Sequence, residues 1–256
     1  MAEATLAKGD RIVATARKAD DRIKDLEERF PKMARFVELD ITVPEQVKLA
    51  VQAAIDAFGR VDVLVNNAGS TLVGAIEEFS DVQIRRLFET NFFGMLNMTR
   101  AFLPVFRQQR SGYILNISSI SGQVGTPGAA IYSATKFAIA GLSEALVQEV
   151  APFGIKVTII EPGTFRTNLV ARIDRAEPIE AYDHIHQFLN NQEEQLTYGD
   201  PAEAVQAWIK AVKSTNPPLH LPVGRDSLNQ IRQKLESEMK EFEKWESVSV
   251  SAKQSE

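Results

Sequence analysis

The chain contains no cysteine, so disulfides and thiolate-bound metals are excluded, and nothing in it reveals a redox compartment. No apolar run approaches the length of a membrane span, and residues 1–18 lack the apolar stretch of a secretory signal. Excess positive charge is missing as well. The net charge is -5 and no basic block interleaves with aromatics, which makes nucleic acid an unexpected partner. There is no internal repeat, no low-complexity tract and no linker rich enough in Gly, Pro or Ser to divide the chain. Glycine is scarce at the start, where Gly9 is the only one before Gly59.

What is present is a chain of 256 residues, 44% hydrophobic and 25% charged, able to bury a large core in one domain or at most two. Short apolar runs alternate with amphipathic segments, the pattern of a parallel sheet covered by helices on both faces. Strands are predicted at 11–16, 35–39, 61–65, 113–117 and 155–160, the last ended by Pro162-Gly163. Helices are predicted around 20–30 and 129–150, and between the second and third strands, where Val47, Val51, Ile55 and Phe58 keep helical spacing. Thr42 and Glu45 are the expected capping box of that middle helix. Ser80 with Gln83 is expected to cap a longer one running past Asn91 toward Pro104.

Tyr132 and Lys136 have the spacing that puts two side chains on one helical face, which alone is a weak signal. With Ser119 and Asn91 upstream they outline a proton-transfer site. A tyrosine of ordinary pKa, about 10, is a poor acid or base near neutrality, and a neighbouring lysine cation is expected to lower that value. The plainer readings are a solvated lysine, an ordinary helical tyrosine and an asparagine that caps or bends its helix.

Asn66-Asn67-Ala68-Gly69, Asn91, Ser119, Tyr132-x-x-x-Lys136 and Pro162-Gly163, in that order, resemble the short-chain dehydrogenase/reductase superfamily. The resemblance runs from the N-terminus to a strand near Leu219. It implies a doubly wound α/β sheet of Rossmann-like type and an NAD(P)-dependent oxidoreductase. Tyr132 would be general acid and base, and Ser119, rather than Ser118, would orient the substrate oxygen. Lys136 would contact the nicotinamide ribose, and Asn91 would hold a water linking Lys136 to solvent.

The same resemblance implies cofactor contacts from Arg17, Lys18, Asp40, Ile41, Asn67, Ala68, Gly69, Pro162, Gly163, Phe165 and Thr167, besides Tyr132 and Lys136. Ala16 stands where NAD-preferring proteins place an acid, and the arginine beside it suits a 2'-phosphate, so NADP is expected over NAD. Asp40 also reads as a turn residue at a strand end. Phe165 stands where smaller aliphatic residues are common.

The departure from the family pattern lies at the start, where members carry a strand and a glycine-rich turn against which the pyrophosphate rests. Residues 1–10 resemble the later part of the helix after that turn. The expectation is that Met1 is an internal methionine of a longer chain and that a central strand of about five or six residues is absent, opening the middle of the sheet. The rival reading is a catalytically silent binding or interaction module. An epimerase or dehydratase using the same Tyr and Lys would need a larger separate substrate domain.

One domain is expected over residues 1–246, with a substrate lid at 168–200 beginning at Asn168, a terminal amphipathic helix at 225–246 and a polar tail at 247–256. Leu72, Val124, Leu169 and Val170 hint at a small, moderately hydrophobic carbonyl or alcohol as substrate. His184-x-His186 has no third ligand in view, so no metal is expected and both are read as exposed lid residues. The terminal helix carries Leu228, Ile231, Leu235, Met239, Phe242 and Trp245 as an apolar stripe expected to pack on the domain, with an interface in a homo-oligomer as the alternative. A cytoplasmic location is expected.

Overall fold

A computed structural model describes residues 1–19, 21–167, 173–195 and 197–251. The chain opens with a short helix, α1 (Ala2–Leu6), followed by β1 (Ile12–Ala16), α2 (Asp21–Arg29), β2 (Ala34–Glu38) and α3 (Pro44–Phe58). Next come β3 (Val63–Asn66), a two-residue strand β4 (Leu72–Val73), α4 (Asp81–Phe88) and α5 (Gly94–Gln109). β5 (Gly112–Ile117), α6 (Ala130–Val150) and β6 (Ile155–Pro162) follow, then a second two-residue strand, β7 (Asp174–Arg175). The remainder is α7 (Asp183–Gln195), α8 (Pro201–Val212), β8 (His220–Val223) and α9 (Arg225–Ser249).

The principal strands are parallel and form two pieces, β2-β1 and β3-β5-β6-β8, while β4 and β7 pair separately. The larger sheet runs in the order β3-β5-β6-β8, and β1 with β2 forms a sheet of its own. Ligands of open parallel α/β sheets bind outside the carboxyl ends of the strands. No backbone ladder joins β1 to β3.

β5 and β6 sit between neighbours on both edges and are buried along most of their length, as strands covered on both faces are. Ile114, Leu115, Ile159 and Ile160 are fully buried. On one face Phe106, Phe102, Met98 and Val47 pack over Ile114 and Val157; on the other, Trp208 and Ala204 of α8 cover Leu115 and Ile160.

Two boundary predictions are corrected. The middle helix is capped at Val43 with Pro44 in its first turn, not by a Thr42 and Glu45 box, because Thr42 donates both its N-H and its hydroxyl to Asp40. Proline at the first helical position sacrifices no intrahelical bond. The terminal helix runs to Ser249, three residues into the segment expected to be tail. The Ser80 and Gln83 capping box is present, and the long helix it opens is interrupted by a π-helical turn, Glu89–Phe93.

Candidate active site

Most of the residues singled out in the sequence stand at carboxyl ends of parallel strands. Arg17 and Lys18 follow β1, Asp40 and Ile41 follow β2, Asn67 to Gly69 follow β3, Ser119 follows β5, and Pro162-Gly163 closes β6. Thr167 lies farther along and is exposed.

Ser119 begins a one-turn 3-10 helix, Ile120–Gly122, and its Oγ accepts the Ser121 N-H at 3.1 Å. Ser118 turns inward, its hydroxyl donating to the Lys136 carbonyl at 3.1 Å, which ties the end of β5 to α6. Tyr132 and Lys136 sit one turn apart on α6, with the Lys136 Nζ 5.6 Å from the Tyr132 ring centroid and donating to the Ile117 carbonyl at 2.9 Å. Lys136 is buried, and burial lowers its pKa to about 8.

For Tyr132 the expected direction is reversed. Burial pushes the phenol above its ordinary value, and the hydrogen bond with Ser119 draws it down by less. The Lys136 ammonium lies over the ring and also donates to a backbone carbonyl, while burial favours the protonated phenol, the form that can donate.

Asn91 is buried in the π-helical turn. Its Oδ1 accepts the Ser70 N-H at 2.8 Å, and its Nδ2 donates to the Ser70 carbonyl at 3.0 Å and to Thr135 Oγ1 at 3.1 Å. One amide therefore joins the loop after β3 to α6 beside Lys136. A π turn inside an α-helix re-aims a side chain in this way and is frequent at functional sites.

Behind this surface lies a buried polar ladder that periodicity could not reveal. Asn66 Nδ2 donates to Asn116 Oδ1 at 2.8 Å and Thr99 Oγ1 at 3.0 Å, and Asn116 Nδ2 donates to Ser143 Oγ at 2.8 Å. The ladder fixes β3, β5, α5 and α6 in mutual register. The only sequence signal was an asparagine inside each of two apolar strands.

Asp40 serves its turn, its Oδ1 accepting from Thr42 N at 2.9 Å and Thr42 Oγ1 at 2.7 Å; these bonds, with the Arg17 charge as a smaller cause, hold its carboxyl below the ordinary range. Ile41 packs against the main core. Gly163 is required by close approach, since a Cβ there would meet the Asp226 carboxylate, which accepts the Thr164 N-H at 2.7 Å. Phe165 packs into the core cluster of Leu115, Ile160 and Val223.

Beside Ser119, Ile120, Val124 and Pro127 line a cleft closed by Phe188 of α7 and by Asp226 and Gln230 at the start of α9. Val124 lines this cleft. Leu72 is buried beneath the site with Phe79 and Leu87 instead. Asn168, Leu169 and Val170 lie outside the described residues.

His186 is not an exposed lid residue. Its Nε2 meets Glu78 Oε1 at 2.6 Å, and Glu78 also accepts Ile179 N at 2.9 Å and Ala75 N at 2.6 Å, so a wholly buried carboxylate holds the lid to the loop after β4. Burial would raise the Glu78 pKa, but the three hydrogen bonds together outweigh it and lower the value. Glu78→Ala would leave two backbone N-H groups and His186 without their acceptor. It is expected to cost about 1–3 kcal/mol and to speed limited proteolysis within 173–195; unchanged cleavage would show that the lid is held by other contacts.

A second charged cluster escaped sequence analysis. Glu161, buried at the end of β6, accepts from Gln123 Nε2 at 2.7 Å and meets His220 Nδ1 at 3.0 Å, while His220 Nε2 lies 3.5 Å from Glu144. The hydrogen bond to Glu161 raises the His220 pKa above its ordinary 6.5, burial opposing it. A raised imidazolium pKa stabilises the fold fully below about 6.5, and that contribution is lost as pH rises through the folded value. Denaturant midpoints are expected to fall over that window in the wild type and to fall less in His220→Gln. Identical slopes would contradict the pairing.

The model of the short chain dehydrogenase family matches residues 1–178. The chain belongs to that family. Among similar solved structures, a short-chain dehydrogenase from Streptomyces avermitilis is 41% identical with a TM-score of 0.92, covering 98% of this chain and 92% of its own. The 3-ketodihydrosphingosine reductase of Bacteroides thetaiotaomicron is 37% identical over 221 residues, 84% of this chain and 79% of the reductase. ElxO with NADP bound is 25% identical, with a TM-score of 0.73 over 89% of this chain and 93% of its own.

Enzymes of the short-chain dehydrogenase family use a nicotinamide dinucleotide, and the described residues fit one half of it. A Cβ at Gly69 would stand 3.4 Å from Asn91 Oδ1 and 3.9 Å from Lys136 Nζ, so the backbone after β3 lies against that pair. Ser119, Tyr132 and Lys136 supply hydroxyl and ammonium donors suited to a ribose and a carbonyl oxygen. For the pyrophosphate half, the described residues hold no glycine-rich turn.

Proposed function

We propose that this oxidoreductase interconverts a carbonyl and a secondary alcohol on a small, moderately hydrophobic substrate, with NADP(H) preferred over NAD(H). The observation that carries the reading is the convergence of Ser119, Tyr132, Lys136 and Asn91 at the carboxyl ends of β3 and β5, beside a cleft lined by Ile120, Val124 and Phe188. The reductase name of the Bacteroides relative supports a ketone as substrate, and NADP bound to ElxO supports the cofactor class.

The bound nicotinamide supplies or accepts the hydride. Ser119 and Tyr132 hold the substrate oxygen, and orientation by two hydroxyls fixes which face of the carbonyl is presented. In reduction the Tyr132 O-H gives its proton to the oxygen as negative charge develops there. Lys136 stabilises the phenolate left behind, at a separation where a low-dielectric surrounding strengthens the attraction. Asn91 would keep a water in reach of Lys136, so that the proton is restored from solvent. In oxidation the same groups act in reverse, Tyr132 accepting the hydroxyl proton.

Arg17, whose charge is felt at Asp40, would meet the 2'-phosphate. Lys18, Ile41, Asn67, Ala68, Pro162, Phe165 and Thr167 belong to this proposal as cofactor contacts. The silent-module reading loses its ground in a family of working oxidoreductases. A homo-oligomer belongs to this proposal, and no helix among the described residues is long and apolar enough to cross a membrane. The reading is tested by NADPH consumption in a panel of aliphatic and aromatic ketones: turnover that rises with apolar size supports it, and none with any ketone would sink it.

A further inference from the structure

The turn that carries Ser119 is pinned at both ends. At its start Ser118 donates to the Lys136 carbonyl, and Gly122 packs so closely on α6 that a Cβ there would meet Ser118 Oγ and stand 2.9 Å from the same carbonyl oxygen. At its end Gln123 reaches into a buried cluster. The Gln123 Nε2 donates to Glu161 Oε1 at 2.7 Å, the oxygen that His220 Nδ1 also meets at 3.0 Å, while His220 Nε2 faces Glu144 of α6 at 3.5 Å. Glu161 is 1% exposed and its Oε2 has no hydrogen-bond partner among the described residues, so the carboxylate is held through Oε1, by Gln123 and His220. The Glu161 backbone carbonyl accepts from Ser227 Oγ at 2.7 Å, which draws the beginning of α9 onto the cluster. Farther along that helix Leu235, Met239, Phe242 and Trp245 are exposed, which corrects the expectation that the whole apolar stripe packs on the domain.

We propose that Glu161 and Gln123 are positioning residues for Ser119, the buried carboxylate fixing the far end of the turn on which the serine stands. Between β5 and α6 that turn is the only regular structure, and from residue 123 to residue 129 the chain runs on as loop along the cleft. Without the Gln123 bond the turn would be held from the Ser118 side alone. A hydrogen bond to an ionised carboxylate is roughly twice as strong as a neutral one, and a buried charge deprived of a partner is strongly unfavourable, so the Gln123 amide is kept where it is and the turn with it. His220 ties the same carboxylate to β8 and, through Glu144, to α6, so Ser119 is referenced to the sheet and its covering helix and not to a surface loop. Ile120 and Val124, on either side of this anchor, line the cleft, while the Gln123 amide meets Glu161 behind it. Rate depends steeply on such placement: a shift of about 1 Å in a reacting group can cost roughly 10²-fold. Both roles presuppose Ser119 as the hydroxyl that orients the substrate oxygen.

The test is a double-mutant cycle on NADPH-dependent reduction of acetophenone, with the full chain as wild type, Gln123→Met, Ser119→Ala and the two together. Gln123→Met keeps the length of the side chain and removes its donor. It is expected to lower kcat by roughly 10- to 100-fold, with KM, NADPH affinity and far-UV circular dichroism nearly unchanged. In the Ser119→Ala background the same substitution is expected to cost nothing further, because no hydroxyl is left to position. Should Gln123→Met misfold, Glu161→Gln keeps the shape and removes the charge, and a smaller loss that likewise vanishes without Ser119 is expected. Full activity in both variants, a rise in KM alone, or an equal loss with and without the Ser119 hydroxyl would each overturn the proposal while leaving the carbonyl reading intact. A wild type inert toward acetophenone and the rest of the ketone panel, or one whose turnover survives Ser119→Ala undiminished, would instead remove the premise and the proposal with it.

Discussion

Tyr132→Phe is expected to lower the rate of carbonyl reduction by roughly 10²–10⁴-fold, the usual contribution of a positioned proton donor. Its fold and cofactor affinity should be nearly unchanged. The phenylalanine retains the ring that packs with Leu72 and Ile131, so what is lost is the hydroxyl hydrogen-bonded to Ser119. The pH profile adds a second readout. With Lys136 lowered to about 8, the wild-type kcat/KM for reduction should fall as pH rises through that value, because the ammonium that stabilises the nascent phenolate is being lost. Tyr132→Phe should flatten that limb along with the rate. A variant retaining more than about a tenth of wild-type turnover, well short of the loss a proton donor accounts for, would move the proton-transfer role to another group.

Arg17→Asp is expected to lower the NADPH over NADH preference by roughly 100-fold. A charge-assisted hydrogen bond to a phosphate is worth about 1.5–3 kcal/mol, and the new carboxylate both repels the 2'-phosphate and offers acceptors to a ribose diol. Steady-state kinetics with each nucleotide reads this directly. Asp40 sits within the Arg17 field but has its own hydrogen bonds to Thr42, so Asp40→Asn should shift the preference far less. Equal preference in wild type and Arg17→Asp would remove Arg17 from the phosphate site.

The comparison of sequence with structure divides along physical lines. Strands and helices with apolar periodicity were legible: β5, β6 and α6 fall within a residue or two of their predicted ends, because burial on one or both faces writes itself into spacing. So was the ordered set Ser119, Tyr132 and Lys136, which the ends of β5 and α6 bring together. The polar contacts that hold this set were not. Asn66 and Asn116 meet across β3 and β5, and Glu78 and His186 are more than a hundred residues apart; such pairs depend on tertiary register, which no local pattern encodes. The reversed direction at Tyr132 has the same origin: sequence spacing places the lysine near the tyrosine, but only the fold shows the ammonium bonded to the Ile117 carbonyl and the phenol buried. The Thr42 box failed because Asp40 competes for the same donors, a local choice with two admissible outcomes.

The central proposal is that this chain binds a nicotinamide dinucleotide beside Gly69, Asn91 and Lys136 and transfers a proton there through Tyr132. The most direct measurement is titration of the purified chain with NADPH and with NADH, followed by nucleotide fluorescence. The account predicts saturable binding of both, with NADPH the tighter. Absence of binding by either nucleotide would contradict it.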